Sequence, residues 1–323
     1  MSTRRTLLAA AGTAWLAAPH RVLAQAATGK RRIAYLSVGS PDSSGYLIGL
    51  FTSGLRELGW IEGTNLILDL RFAQGDTARY APLTSELLAL QPDVFVTSTD
   101  VSAGAAAATT KSVPIVFVIG TDPVGRGLVK SLASPGGNVT GFASLDFELG
   151  PKRLQLLTEA IPGLNKVGVF TSSLTRFELE LQDASRKLGL VLVPVLVDRP
   201  EDIDGAFEKF AKAGVKAVLA ASGATIFMAP ERIADLAIRH RMAMFGAPAI
   251  ADSGVLLSYG QHVPTLFRRA APLVDRILKG AKPADIPVEQ VNVYELVVNL
   301  RTARALGIEL PRSLVLQATR VIE

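Results

Sequence analysis

Five short polar segments hold the side chains best suited to chemistry in this sequence: Gly39-Ser40, Ser98-Thr99-Asp100, Thr121-Asp122, Thr171-Ser172-Ser173 and Ser222-Gly223. Each follows an apolar run and precedes a stretch with helical spacing. Serine and threonine hydroxyls both donate and accept hydrogen bonds. A helix N-terminus adds free N–H groups and a partial positive charge. Together these groups suit a carboxylate or another polar oxygen. Each segment alone also has a local reading as a helix N-cap. Five of them in one chain point to a shared polar cleft.

The groups needed for most catalytic chemistry are missing. The chain has 323 residues, no cysteine and three histidines, His20, His240 and His262. This excludes thiol catalysis, disulfides and iron–sulfur clusters, and it speaks against a His/Cys zinc site. No G-x-x-x-x-G-K-[ST] loop or G-x-S-x-G elbow occurs. Gly125-Arg126-Gly127 begins a dinucleotide fingerprint, but Lys130 stands where its last glycine belongs. His240, in Arg239-His240-Arg241, fits a helix C-terminus, where basic residues favour the dipole. Glu201-Asp202 reads as helix N-terminal charge rather than an acid–base pair. The sequence therefore predicts no enzyme, no metal and no cofactor.

The elements that would position the polar segments alternate strictly. Apolar runs at 32–38, 93–98, 113–119, 166–170, 190–197, 216–220 and 255–259 read as strands, with an alternating strand at 65–72 and a short one near Met244. Helical spacing covers 77–90, 102–110, 152–161, 176–188, 203–213 and 230–241, and Leu47 to Leu58 after a cap at Ser43 or Ser44. Alternating strands and helices imply parallel sheets with helices on both faces. Their number divides naturally into two sheets. In open sheets of this kind ligands bind at the carboxyl ends of the strands, where the five polar segments lie. Gly and Pro punctuation is heaviest at 134–138 and 280–287, which we read as close to crossovers between domains.

Residues 1–26 stand apart. Arg4 and Arg5 precede the apolar stretch Thr6–Ala18, and Ala24-Gln25-Ala26 is a small-x-small cleavage signal. The stretch is too short to span a bilayer, which takes about 20 residues. The sequence predicts a signal peptide at 1–26 and a periplasmic location, reached through a Sec or twin-arginine signal. Three of the 34 basic residues leave with it, so the net charge falls from +5 to 31 − 29 = +2. The basicity is thus mostly a targeting effect, and no nucleic-acid patch is present.

With these residues in view, the chain resembles the ABC-transporter substrate-binding family that includes tryptophan- and tyrosine-binding members. The resemblance rests on Pro114-Ile115-Val116-Phe117, Thr121-Asp122-Pro123-Val124, Gly127-Leu128-Val129 and Pro135 to Gly141. It continues through Leu257 to Gly260, Arg268 to Ala271, Ile277 to Gln290, Asn299 to Gly307 and Val321-Ile322-Glu323. It implies an α/β type I periplasmic-binding fold: two Rossmann-like lobes with parallel sheets, three hinge crossings and a ligand in the cleft. Lobe one would combine 31–142 with 258–289, and lobe two 143–257 with 290–323. The implied partners are a small-molecule ligand and the permease subunits of an ABC importer, with no nucleic acid, and the protein would be a monomer.

The candidate ligand contacts are Ser40, Ser44, Ser98, Thr99, Thr121, Asp122, Ser172 and Ser222. The chain departs from the family where specificity is set. Ser222-Gly223 stands where the family pattern has Pro-Asp, which removes a carboxylate for a ligand ammonium, and the loop from Thr171 to Thr175 lacks Asn-Pro. Asp122, before Pro123, has the local reading of an Asx-turn. An amino acid, a small aromatic or aliphatic carboxylate, or another polar metabolite would fit. A sensing module for a membrane receptor, an enzyme using the cleft, and a ligand-responsive repressor are the competing functions; the last would need a helix-turn-helix where the leader stands.

Overall fold

The computed structural model describes residues 29–144, 149–171, 176–197, 199, 201–220, 229–290 and 292–323. The predicted leader, Ser172 and Ser222 therefore lie outside the described residues.

Strands buried on both faces need apolar side chains at successive positions, and the first strand, β1 (Arg31–Ser37), meets this from Ile33 to Leu36. Its Ile33 and Tyr35 join a core cluster with Phe51, Leu55 and Leu273. Its Ala34 and Leu36 point the other way, into a cluster with Leu87, Ala103 and Ala106. The chain continues as α1 (Pro41–Glu57), β2 (Leu66–Phe72), α2 (Tyr80–Ala89), β3 (Val94–Thr99), α3 (Asp100–Thr109), β4 (Ile115–Gly120) and β5 (Val139–Ala143). It then passes to α4 (Gly150–Ala160), β6 (Lys166–Thr171), α5 (Arg176–Lys187), β7 (Val191–Leu196), α6 (Asp202–Lys212), β8 (Ala217–Ala220), α7 (Pro230–Arg239), β9 (Ala243–Gly246) and β10 (Leu257–Gln261). It closes with α8 (Val263–Leu278), β11 (Glu289–Gln290), β12 (Tyr294–Asn299), α9 (Leu300–Leu306), α10 (Arg312–Gln317) and β13 (Arg320–Ile322).

Two sheets result. The first has the order β11-β5-β4-β3-β1-β2, and its pairings are parallel. The second has the order β13-β12-β10-β9-β8-β6-β7. Its β12 runs antiparallel to β10, and its other pairings are parallel. In the second sheet Ala217 and Leu219 serve one core cluster and Val218 and Ala220 the opposite one. The molecule is thus an α/β protein of two lobes, each a sheet of mainly parallel strands covered by helices.

The lobes are interleaved in sequence. α8 lies on α1 in the first lobe: a Cβ on Gly54 would stand 2.8 Å from that of Ala271. Thr140 Oγ1 donates to the Ile286 carbonyl at 2.9 Å, beside β5. The chain leaves the first sheet after β5, returns after β10 and leaves again after β11. The Gly- and Pro-rich stretches at 134–138 and 280–287 immediately precede β5 and β11, the two strands of departure. Ser258 lies within β10, inside the second sheet. The antiparallel pairing of β10 with β12 holds this strand in the second sheet to Gln261.

Candidate functional site

Both sheets share one winding. In the first, β1 is flanked by β2 and β3, and in the second β6 is flanked by β7 and β8. The connection reverses direction between β1 and β3, and again between β6 and β8. At such a switch point the two neighbouring loops diverge and leave a crevice at the carboxyl ends of the strands. Ser40 and Thr99 follow the two strands of the first switch point. Ser172 and Ser222 follow β6 and β8 in sequence, at the corresponding strands of the second.

Ser40 is the N-cap of α1. Its Oγ accepts from the Ser43 amide at 3.2 Å, and its own amide donates to Ser43 Oγ at 3.0 Å, a reciprocal capping box. The cap is therefore Ser40, not Ser43 or Ser44; Pro41 at the first helical position favours the earlier start. Ser44 turns inward, and its hydroxyl accepts from Ser37 Oγ at 2.7 Å. Gly39 permits this packing, because a Cβ there would lie 2.6 Å from both Ser43 Oγ and Ser44 Oγ. Thr99 caps α3 in the same way, exchanging bonds with Ser102 at 3.3 Å each. Ser98 is buried beside the Tyr35 hydroxyl.

The loop after β4 is organised by a residue that sequence reading left without a role. Asp100, at the first position of α3, has a side chain only 2% exposed. Its Oδ2 accepts from the Thr121 amide at 3.0 Å, the Thr121 hydroxyl at 3.2 Å and the Asp122 amide at 3.0 Å. Arg126 Nε approaches the same oxygen at 3.3 Å. Thr121 is exposed at the strand end. Asp122 Oδ1 accepts from the Gly125 amide at 2.9 Å, three residues on, so it caps its own turn locally, one residue beyond the reach of an Asx-turn. The signal for Asp100 is an acidic residue in the first turn of a helix; its partners, 21 and 22 positions away, carry no local pattern.

Ser40, Ser44, Ser98, Thr99, Thr121 and Asp122 thus gather along the carboxyl edge of the first sheet, with Asp100 and Arg126 beside them. The edge is rich in hydroxyls and backbone N–H groups and holds one braced arginine. It can bind polar oxygen atoms. Among the described residues it carries no paired nucleophile and base. Among the described residues no group of three or more His, Asp or Glu side chains could hold a metal ion, and no helix is long and apolar enough to cross a membrane. His240 caps α7 and stacks on Phe207 with ring centres 5.7 Å apart; His262 Nδ1 lies 2.7 Å from Thr265 Oγ1. Both histidines are accounted for within a lobe.

The family described as ABC transporter substrate binding protein matches residues 36–322. A tyrosine-binding protein of Clostridioides difficile (strain R20291) is 26% identical over 264 residues, 80% of this chain and 76% of the relative. The structure of a conserved domain protein from Vibrio cholerae aligns with a TM-score of 0.84 at 28% identity, covering 90% of this chain and 99% of the other. An ABC domain from Streptococcus pneumonia, solved in complex with L-Trp, aligns with a TM-score of 0.83 at 26% identity, covering 91% and 100%.

Proposed function

Because the chain belongs to the ABC transporter substrate-binding protein family, we propose that it captures a small polar metabolite, an amino acid or a small organic acid, between its lobes. It then delivers that ligand to the permease of an ABC importer. The observation that carries this reading is the twin winding of the two sheets. Each sheet has a switch point whose strands run into polar segments: Ser40 and Thr99, both helix caps, in one lobe, and Ser172 and Ser222 by sequence position in the other. A ligand touched by both lobes stabilises their closed arrangement alone, so binding and hinge closure form one equilibrium.

The proposed lobes follow the two sheets: 31–143 with 262–290, and 144–261 with 291–323. Residues 1–26 act as the export signal, and the mature chain works in the periplasm as a monomer whose lobes move freely. The tyrosine-binding relative and the L-Trp complex support an amino acid. Ser222-Gly223, lacking a carboxylate for an ammonium, supports acids without an amino group.

The test is a thermal-shift screen of the protein produced from the full chain and purified from the extracytoplasmic fraction. The library holds amino acids, aromatic acids, dicarboxylates, sugars and nucleosides. A ligand at a hundredfold excess over its Kd adds about 2.7 kcal/mol. One class of hits, returned unchanged after incubation, is the expected result. Turnover of the hit, or retention of residues 1–26 in a DNA-binding form, overturns the reading.

A further inference from the structure

Arg126 stands beside the carboxyl edge of the first sheet with one side of its guanidinium in an ion pair and the other open. Its Nε lies 3.3 Å from Asp100 Oδ2, and its side chain is 47% exposed against 2% for Asp100. The anchoring oxygen already accepts three hydrogen bonds, from the Thr121 amide, the Thr121 hydroxyl and the Asp122 amide. Asp100 therefore does not need Arg126 for its own satisfaction. The Arg126 side chain makes no other polar contact among the described residues. An arginine has five N–H donors in a planar fork, so the Nη1 and Nη2 donors remain available.

An exposed ion pair normally leaves both side chains free to wander and contributes little. This one differs, because its carboxylate is buried and held by a helix and a neighbouring loop. The fork is thus oriented before any ligand arrives. A planar fork with its outer edge free matches the two oxygens of a carboxylate. It shares this edge with Thr99, the cap of α3, where the helix dipole also favours negative charge.

We propose that Arg126 is the residue of the interlobe site that holds the ligand's carboxylate, positioned by Asp100. The inference rests on the solute-binding reading above and assigns one residue of its site. Arg126 supplies the outer pair of donors, and Asp100 supplies the brace that keeps them pointing in one direction.

The experiment uses matched probes on the protein produced from the full chain: L-tyrosine, L-tryptophan, benzoate and succinate, each against its primary amide, with glucose and myo-inositol as neutral polyols. Binding is read by thermal shift and titration calorimetry. The expected result is binding of one or more carboxylates and none of the matching amides. Arg126→Gln then weakens the best carboxylate about 10- to 100-fold, the effect of losing a hydrogen bond to an ionised group. Its melting temperature without probe stays at the wild-type value, since Asp100 keeps three donors. Arg126→Lys, which keeps the charge but loses the fork, falls between the two. Equal carboxylate affinity in Arg126→Gln, or binding of neutral probes alone, overturns the proposal and leaves the solute-binding reading standing. No binding of any of these probes overturns the proposal too, and the solute-binding reading then stands or falls on the wider screen above.

Discussion

The indole Nε1 of Trp60 donates to Oδ1 of Asp275 at 2.8 Å, joining the loop after α1 to α8 across 215 positions of sequence. Asp275 also accepts from Lys279 Nζ, and its side chain is 11% exposed. The contact holds in place the late segment that completes the first lobe. Replacing Asp275 with Ala leaves the half-buried indole N–H without its partner and removes the anchor. The expected loss is about 1–3 kcal/mol in urea unfolding, together with a red shift of Trp60 emission. α1 starts at the carboxyl end of β1 and runs back toward the start of β2, so Trp60 sits at the far edge from the candidate site. Its emission will follow unfolding of the first lobe and change little on ligand addition.

Burial pushes the Tyr35 hydroxyl above the ordinary phenol range, with the Ser98 side chain pulling the other way. No hydrogen bond of ordinary geometry reaches that hydroxyl. Burial and the nearby Asp76 carboxylate raise Tyr80 as well. In the unfolded chain a phenol ionises near pH 10. The folded state holds these protons longer, so their contribution is intact below about pH 10 and is lost as pH rises above it toward the folded values. Tyr35→Phe removes one such liability and leaves no polar atom stranded. It should be neutral or stabilising at pH 7 and should raise the pH of alkaline unfolding, followed by circular dichroism.

Gly141 pairs with Phe117 in the β4–β5 register. A Cβ on it would overlap the Phe117 carbonyl oxygen and lie 2.8 Å from the Phe117 ring. Gly141→Ala must therefore push the last long strand of the first sheet off its neighbour. The expected cost is about 3 kcal/mol or more, read as a lower denaturation midpoint. Gly205, in α6 with no atom within 4 Å of the place a methyl group would take, is the control. Gly205→Ala should stabilise by about 0.5–1 kcal/mol through helix propensity.

Arg153 is fully buried on α4, and its Nε donates to the Tyr259 carbonyl at 2.8 Å. It braces β10, the strand from which the chain returns to the first lobe. Truncation to Ala removes a charged donor from a buried network and opens space, for an expected loss of about 3–5 kcal/mol. Arg153→Met keeps the volume without the charge and should recover part of that loss in thermal unfolding.

The alternation of strands and helices was legible because these strands are buried on both faces. Ile33 to Leu36 and Val94 to Val96 read as unbroken apolar runs whatever helix covers them. Direction was not legible. Nothing in Tyr294 to Asn299 distinguishes an antiparallel strand from a parallel one, and Glu289-Gln290 is too short to carry a pattern. The polar strand ends stood out by composition, but Ser40 and Ser43 divide the capping work in a way that only geometry reveals. The Asp100–Thr121 contact and the brace on Arg126 depend on two loops meeting in space, which residue spacing cannot report.

The interleaving of the lobes bears on how the chain matures. A polypeptide that has emerged only as far as Ala143 holds the first five strands of its first sheet but lacks α8. Ile33, Tyr35 and Val116, which share a cluster with Leu266, Leu273 and Val274 of that helix, have only α1 to cover that face until then. The second sheet waits in turn for β12 and β13, at 294–299 and 320–322. No N-terminal fragment is therefore a finished lobe. Premature stops anywhere before β12 should yield sticky, protease-sensitive products, and folding to completion belongs to the released chain rather than to the one still being made.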